Sequence, residues 1–188
     1  MVHDPALDAH EHAEHAEHAA HERDPFISRV AITVAVLAVL AAVAGSLETV
    51  EGGRALGASS EAVLRQDQAS DAWNEFQADG LKRHMYTIAA ASGGAQADAW
   101  RKTAKDESAK QVKDRKKATD DESERDRLLV ESQQHEGRHH WLTGAATLFE
   151  IGIAMSTVAI ITRRRWLSLG ATAFGVCGIL LLGVSYVM

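Results

Sequence analysis

Three stretches of the chain contain almost no charged side chains and are long enough to cross a bilayer as helices. They cover residues 26–47, 141–162 and 166–188. About 20 consecutive apolar residues span the hydrocarbon core of a membrane, whereas a helix of a small soluble protein is shorter and apolar on one face only. The pattern therefore predicts an all-α protein with three transmembrane helices. A short basic loop, residues 163–165, joins the last two.

The first stretch shares one feature with a secretory signal peptide. The sequence "AVAGS" at residues 42–46 resembles a cleavage site. However, the apolar run is longer than the roughly 7–15 residues of a signal peptide, and a polar tail, residues 1–25, precedes it. We therefore expect this stretch to be a membrane helix.

The polar section between the first two stretches, residues 48–140, predicts a helical hairpin. Ser60 is a suitable N-cap for its first helix because the hydroxyl can accept a hydrogen bond from a free amide of the first turn. Two adjacent glycines in "ASGGA", residues 91–95, then predict a turn. Apolar residues recur along the first helix at roughly helical spacing. They are Val63, Ala69, Trp73, Phe76, Leu81, Met85 and Ile88.

The second helix of the hairpin, residues 96–140, is dominated by charge. Residues 101–127 carry 18 charged side chains among 27. Acid–base pairs four residues apart, such as Lys102–Asp106, can support such a helix, but they cannot form a core. The hairpin is therefore a thin antiparallel coiled coil. We expect a second copy or another subunit to cover Trp73, Phe76 and Trp100.

The tail at residues 1–25 is rich in acids and histidines and has little apolar surface, which predicts disorder. Neutral imidazoles bind Zn, Ni or Cu, so a metal-handling function is one alternative. A period of three does not keep the histidines on one helical face, and no cysteine completes a site. A solvated tail is therefore the simpler interpretation. The histidines concerned are His10, His12, His15, His18 and His21.

The distribution of arginines predicts the orientation in the membrane. Short loops rich in arginine stay in the cytoplasm, whereas long domains cross largely regardless of charge. The sequence "TRRRW" at residues 162–166 places the basic loop, and with it the amino terminus, in the cytoplasm. The hairpin and the carboxyl terminus then lie in the periplasm of a bacterium, outside its inner membrane.

Two blocks of sequence are similar to a known family. "QASDAWNEFQADGLKRHMY", residues 68–86, resembles a signature of small bacterial three-helix membrane proteins, the domain-of-unknown-function family 4337. "ERDRLLVESQQHEGRHHWLTGAATLFEIGIAMSTVAIITRRRW", residues 124–166, resembles the second block of that family. The resemblance extends from about residue 26 onward. It implies a fold and a membrane location, and no activity. It also implies that glutamine is usual at the position of Glu150.

Glu150 lies in the middle of the second apolar stretch, where a charge is costly and usually faces the interior of a bundle. Thr143 and Thr147 share its helical face. We expect these side chains to form polar contacts between packed membrane helices. The alternative is a proton or cation transport component or channel that uses Glu150. Apart from Arg29 near the start of the first, the other two stretches supply hydroxyl groups as their polar groups, which do not make a relay.

Three histidines precede the second apolar stretch. His135 and His139 are four residues apart, a spacing that can hold a metal on a helix, but the sequence "HEGRH" lacks the order of a zinc-protease motif. With Gly137 between them, an interfacial cap beside Trp141 is the simpler interpretation. The only cysteine, Cys177, lies in the third apolar stretch, so an intrachain disulfide is excluded.

Composition adds little to this picture. The net charge is −6, and the mean hydropathy of −0.17 hides the apolar stretches because the remaining chain is polar. We find no nucleophile–base pair and no phosphate-binding glycine loop, and acids interrupt the basic residues. The sequence therefore predicts a protein without enzymatic activity, cofactor, nucleic acid or small-molecule substrate. It predicts an oligomeric scaffold or accessory subunit of a membrane complex, whose partners are the lipid bilayer and other chains.

Overall fold

The computed structural model describes residues 25–187, and over that range the protein consists of three helices without strands. Helix α1 covers Pro25–Ala91, α2 covers Ala97–Thr162 and α3 covers Arg165–Val187. All three are long and apolar enough to cross a membrane by length and composition. The all-α prediction is thereby confirmed. The histidine-rich tail lies outside the described residues.

The first helix has no break between its apolar and polar parts. Ser60 does not cap a new helix, as the sequence predicted, because it lies inside α1 and its Oγ donates to the carbonyl of Leu56 at 2.8 Å. The chain has no proline between Pro25 and the end of α1 that would stop the helix. Glycines such as Gly53 and Gly57 each lower helix stability by only about 1 kcal/mol.

The predicted turn after α1 is confirmed. Gly93 and Gly94 have φ angles of 79° and 98°, which side chains other than glycine rarely adopt. The amide of Ala97 donates to the carbonyl of Gly94 at 3.1 Å and starts α2. Between α2 and α3 the connection is residues 163–164, one residue shorter than the predicted loop.

The chain divides into two compact units. The three-helix unit contains the described residues up to 55 and from 133 onward. Its core includes Val34, Leu37, Phe149 and Ile153, with Phe149 fully buried. Glycines provide the space for these side chains. A Cβ on Gly178 would lie 2.6 Å from the ring of Phe149.

The hairpin unit covers residues 56–132 and has a different interior. Its seam is formed mainly by alanines, with four buried polar side chains. The buried alanines are Ala62, Ala69, Ala72, Ala90, Ala97 and Ala118, and the polar side chains are Asp79, Glu107, Gln111 and Asp121. Along α1 the partly or fully buried positions alternate between spacings of three and four residues, which is the pattern of a coiled coil.

Contacts across the seam establish the antiparallel pairing. Gln111 donates to the carbonyl of Phe76 at 2.9 Å, and Arg65 lies 3.4 Å from Asp121. The predicted apolar stripe therefore coincides with the seam only in part, at Ala69, Trp73 and Phe76. Of its members only Ala69 is fully buried. Val63, Leu81, Met85 and Ile88 are exposed.

Charged pairs along the hairpin helices also differ in spacing from the prediction. Contacts within 4.0 Å are formed mainly by residues three apart, such as Asp79–Lys82 at 2.9 Å and Glu107–Lys110 at 2.8 Å. The hydrogen bond with Lys82 holds the pKa of Asp79 below its usual range. Pairs of this kind allow carboxylates to lie at the seam.

Candidate functional site

A polar cluster lies in the three-helix unit, where the apolar part of α1 ends and that of α2 begins. Glu48 and Glu51 occupy one face of α1, and His135 and His139 occupy the facing side of α2. His135 Nδ1 lies 2.5 Å from Glu51 Oε2. His139 Nδ1 lies 3.1 Å from the carbonyl oxygen of Glu48. The two histidines lie about one turn apart on α2, and the two glutamates lie about one turn apart on α1. Because the helices are antiparallel, His135 contacts Glu51 and His139 contacts Glu48.

Thr143 extends the cluster towards the apolar segment of α2. Its Oγ1 lies 2.7 Å from Glu48 Oε1 and 2.9 Å from the carbonyl oxygen of His139, two acceptors for one hydroxyl proton. Gly52 allows the helices to approach closely at this level, because a Cβ there would lie 3.3 Å from His139 Nδ1. Backbone and side-chain groups of α1 therefore hold one face of α2 in register.

The central contact, between Glu51 and His135, is largely removed from solvent. The side chains of Glu51 and His135 are 13% and 16% exposed. Burial alone would raise the pKa of Glu51. The hydrogen bond with His135 and the charges of His135, Arg54 and Arg138 outweigh burial and bring that pKa below its ordinary value. Glu51 is therefore held as a carboxylate.

A cleft of about 290 Å³ opens beside this cluster. All three helical segments of the unit contribute to it. We call it the interfacial cleft, and its lining residues are Leu47, Glu51, Arg54, Arg138, Leu142, Ser185 and Tyr186. Arg54 Nη1 lies 3.0 Å from Glu51 Oε1. Arg138 forms no ion pair within residues 25–187, and its buried Nε has no hydrogen-bond partner there.

The side chain of Glu150 lies on the outer surface of the three-helix unit and not among its packed helices. Its side chain is exposed and makes no hydrogen bond or ion pair within the described range. Thr147 donates to the carbonyl of Thr143 on its own helix at 2.8 Å. Thr143 contacts Glu48 and not Glu150. Thr143 is half-buried, whereas Thr147 and Glu150 are exposed. The polar contact of Glu150 with a packed membrane helix stays a prediction.

The predicted partner contacts lie in the hairpin unit. The rings of Trp73 and Phe76 meet edge to face with centroids 5.5 Å apart, and Trp73 Nε1 donates to Glu122 at 2.9 Å. Both side chains are half-buried and belong to the seam. Trp100 is half-buried in the first turns of α2 and has no ring contact in the part of the chain that the structure describes.

Metal binding can be assessed only for part of the sequence prediction. His10, His12, His15, His18 and His21 lie outside the described residues. Within residues 25–187 no group of three histidine, cysteine or acidic side chains is placed to hold a metal ion. His135 and His139 instead contact α1. Their interpretation as an interfacial cap stays a prediction.

Comparison with known proteins assigns the chain to a family. The family described as Domain of unknown function (DUF4337) matches residues 26–188. The chain belongs to this family. No curated protein and no solved structure matches the chain. The family match covers the three helices, the polar cluster and the hairpin together, and it excludes the histidine-rich tail, residues 1–25.

The acidic half of the polar cluster was missed by sequence reasoning, although a signal for it exists in this family member. Residues equally far from the Gly93–Gly94 turn face each other in an antiparallel hairpin. That rule pairs Glu48 with His139 and brings Glu51 within one residue of His135, once α1 is taken to continue without a break. The assumed helix start at Ser60 concealed the pairing.

Proposed function

We propose that the protein is a non-enzymatic scaffold or accessory subunit of a bacterial inner-membrane complex. Its three apolar helical segments would anchor it, and its hairpin unit would bind a second copy or other subunits. The basic connection after α2 favours a cytoplasmic amino terminus, with the hairpin and the carboxyl terminus in the periplasm. The length and apolar composition of the helices support the anchor.

One observation carries the proposal for the hairpin unit. Leu81, Met85 and Ile88 are 65%, 62% and 73% exposed and are spaced by four and three residues, so they form one outward face of α1. We call this face the exposed ridge. The alanines and buried polar groups already close the seam of the hairpin without it. Contiguous apolar surface on a polar element is typical of a protein–protein contact.

Glu150 supports assembly through the apolar segments as well. A carboxyl group on the outer face of a membrane helix is expensive in hydrocarbon and is rarely left in contact with lipid. Thr147 and Ala154 are also exposed on this face, and small side chains allow helices to approach closely. A neighbouring chain would satisfy Glu150 by a hydrogen bond.

The exposed ridge is tested by replacing Leu81, Met85 and Ile88 together with glutamine, which preserves helix propensity. The oligomeric mass of the detergent-solubilised protein, read by native mass spectrometry, should fall. A matched triple variant, Glu75→Gln, Thr87→Gln and Lys116→Gln, changes exposed residues elsewhere on the hairpin without a change in net charge. It should keep the mass of the wild type.

The outcome is decisive in either direction. An unchanged oligomeric mass in the ridge variant contradicts the proposed role of the hairpin. Far-ultraviolet circular dichroism on both variants checks that the helices are intact. The ridge is a cleaner target than Trp73 and Phe76, because those two rings also stabilise the hairpin.

A further inference from the structure

The interfacial cleft contains a charge that the polar cluster does not use. Glu51 already has a hydrogen-bond partner in His135 at 2.5 Å and an ion-pair partner in Arg54 at 3.0 Å. Arg138 lowers the pKa of Glu51 only through its charge, without a contact within 4.0 Å. Its buried Nε has no hydrogen-bond partner within residues 25–187. The cleft is therefore lined by a guanidinium that makes no ion pair within the described residues.

The remaining walls of the cleft favour a ligand that is anionic at one end and apolar at the other. Leu47 and Leu142 line the side nearest the apolar segments, and Leu142 is buried. Ser185 and Tyr186 line the cleft from the end of α3. A tyrosine at this level is typical of the boundary between lipid and water.

The level of the cleft along the helices gives the source of such a ligand. It lies where the stretch 26–47 ends, where 141–162 begins and where 166–188 ends. In a membrane protein these three points share one surface of the bilayer, where lipid phosphates are concentrated. Arginine binds phosphate with a planar fork of two N–H donors, which a single ammonium group cannot match.

We propose that the interfacial cleft binds the phosphate of an anionic phospholipid headgroup, with Arg138 as the principal donor and Arg54 as a second positive charge. The volume of about 290 Å³ accommodates the headgroup and not a whole lipid, since pockets for drug-sized ligands begin at about this size. The acyl chains would extend from the cleft along Leu47 and Leu142 into the bilayer. This inference rests on the proposed membrane location.

The test uses the full-length protein in detergent, titrated with an anionic or a zwitterionic phospholipid with identical acyl chains. Native mass spectrometry counts the lipids retained. The wild type should retain the anionic lipid selectively, and Arg138→Gln should weaken that retention about tenfold, the scale of one hydrogen bond to an ion. Arg138→Lys, which keeps the charge and loses the fork, should fall between the two.

Arg165→Gln is the matched control because Arg165 is exposed at the opposite end of the apolar segments. It measures general attraction of basic residues for anionic lipid and should leave retention unchanged. Equal retention by the wild type and Arg138→Gln would overturn the proposal. Equal losses in Arg138→Gln and Arg165→Gln would do the same.

Inorganic phosphate separates the two possible sources of the anion without any substitution. Wild-type protein should keep the lipid when inorganic phosphate is added in excess. Displacement of the lipid by phosphate alone would overturn the assignment to a lipid. The same spectra report the oligomeric mass, so a protein that stays monomeric and still selects the anionic lipid would refute binding of a second copy and leave the proposal for the cleft intact.

Discussion

The two units of the molecule fill their interiors by opposite means. In the three-helix unit, large side chains enter the space left by glycines: Phe149 lies against Gly178, and Leu37 lies against Gly152 and Gly175. In the hairpin unit, alanines bring the helices together, and carboxylates such as Asp79 and Asp121 lie buried between them. The first interior depends on shape, whereas the second depends on small size and on polar pairing.

This difference suits the two surroundings that we propose. Lipid tails are as apolar as the side chains, so the hydrophobic effect does not drive helices together in a membrane. Helices there associate through close packing, which small residues allow. A hairpin in water gains from burial, but alanines bury little area, and a charged seam contributes more to register than to stability. The closely packed core of the three-helix unit should therefore tolerate substitution less well than the polar seam of the hairpin unit does.

The largest effect should come from Gly178→Ala. The added Cβ would lie 2.6, 2.9 and 3.0 Å from three ring carbons of Phe149, a fully buried side chain that cannot turn into solvent. Overpacking of this kind should destabilise the three-helix unit by about 2 kcal/mol. Thermal unfolding of the solubilised protein, followed by circular dichroism, should show a lower midpoint.

Gly183→Ala provides the control in the same helix, since nothing lies within 4 Å of its added Cβ. This variant should unfold at or above the midpoint of the wild type, because alanine favours a helix over glycine. Equal midpoints for the Gly178 and Gly183 variants would mean that the glycines do not determine packing.

The sequence allowed the helices and the turn to be predicted, because both depend on local chemistry. The apolar stretches are continuous, and two adjacent glycines are needed for the positive φ angles at Gly93 and Gly94. The seam was not predictable in the same way. Periodicity drew attention to the large residues Leu81, Met85 and Ile88, whereas the structure buries alanines, which carry a weak signal because they are tolerated on any face.

The candidate site shows the same limit. Helical spacing placed Thr143, Thr147 and Glu150 on one face, but it could not say which neighbour that face meets. Thr143, the first residue of that face, contacts Glu48, whereas Glu150 is exposed. The contact between Glu51 and His135 depends on register over the whole length of the hairpin, which no local pattern contains.

A smaller effect is expected where the three-helix unit does depend on polar pairing, at Glu51. Because its pKa is lowered in the folded protein, the carboxylate contributes stability above the ordinary glutamate pKa of about 4.3, and that contribution is lost as pH falls through the folded value. Glu51→Gln should cost about 1 kcal/mol at neutral pH and flatten the acid side of the profile of midpoint against pH.

His135→Gln and the double variant complete the test. The groups facing Glu51 are His135, Arg54 and Arg138, so removal of His135 alone should reduce the pH dependence without abolishing it. If the two residues act as a pair, the double variant should be less destabilised than the sum of the single variants. Additive losses would show that the 2.5 Å contact contributes no coupling.

The smallest effect should come from Gly80→Ala in the hairpin unit. The added Cβ would lie 2.5 Å from Gln111 Nε2, so the amide would have to leave its 2.9 Å hydrogen bond to the carbonyl of Phe76. Unlike the ring of Phe149, this atom is the end of a flexible side chain and can move. The lost hydrogen bond, about 1 kcal/mol, should roughly cancel the helix gain of about 0.5–1 kcal/mol. Gly57→Ala, with nothing within 4 Å, should show that gain alone as a raised midpoint. A loss at Gly80 as large as that at Gly178 would mean that the polar seam is as rigid as the packed one.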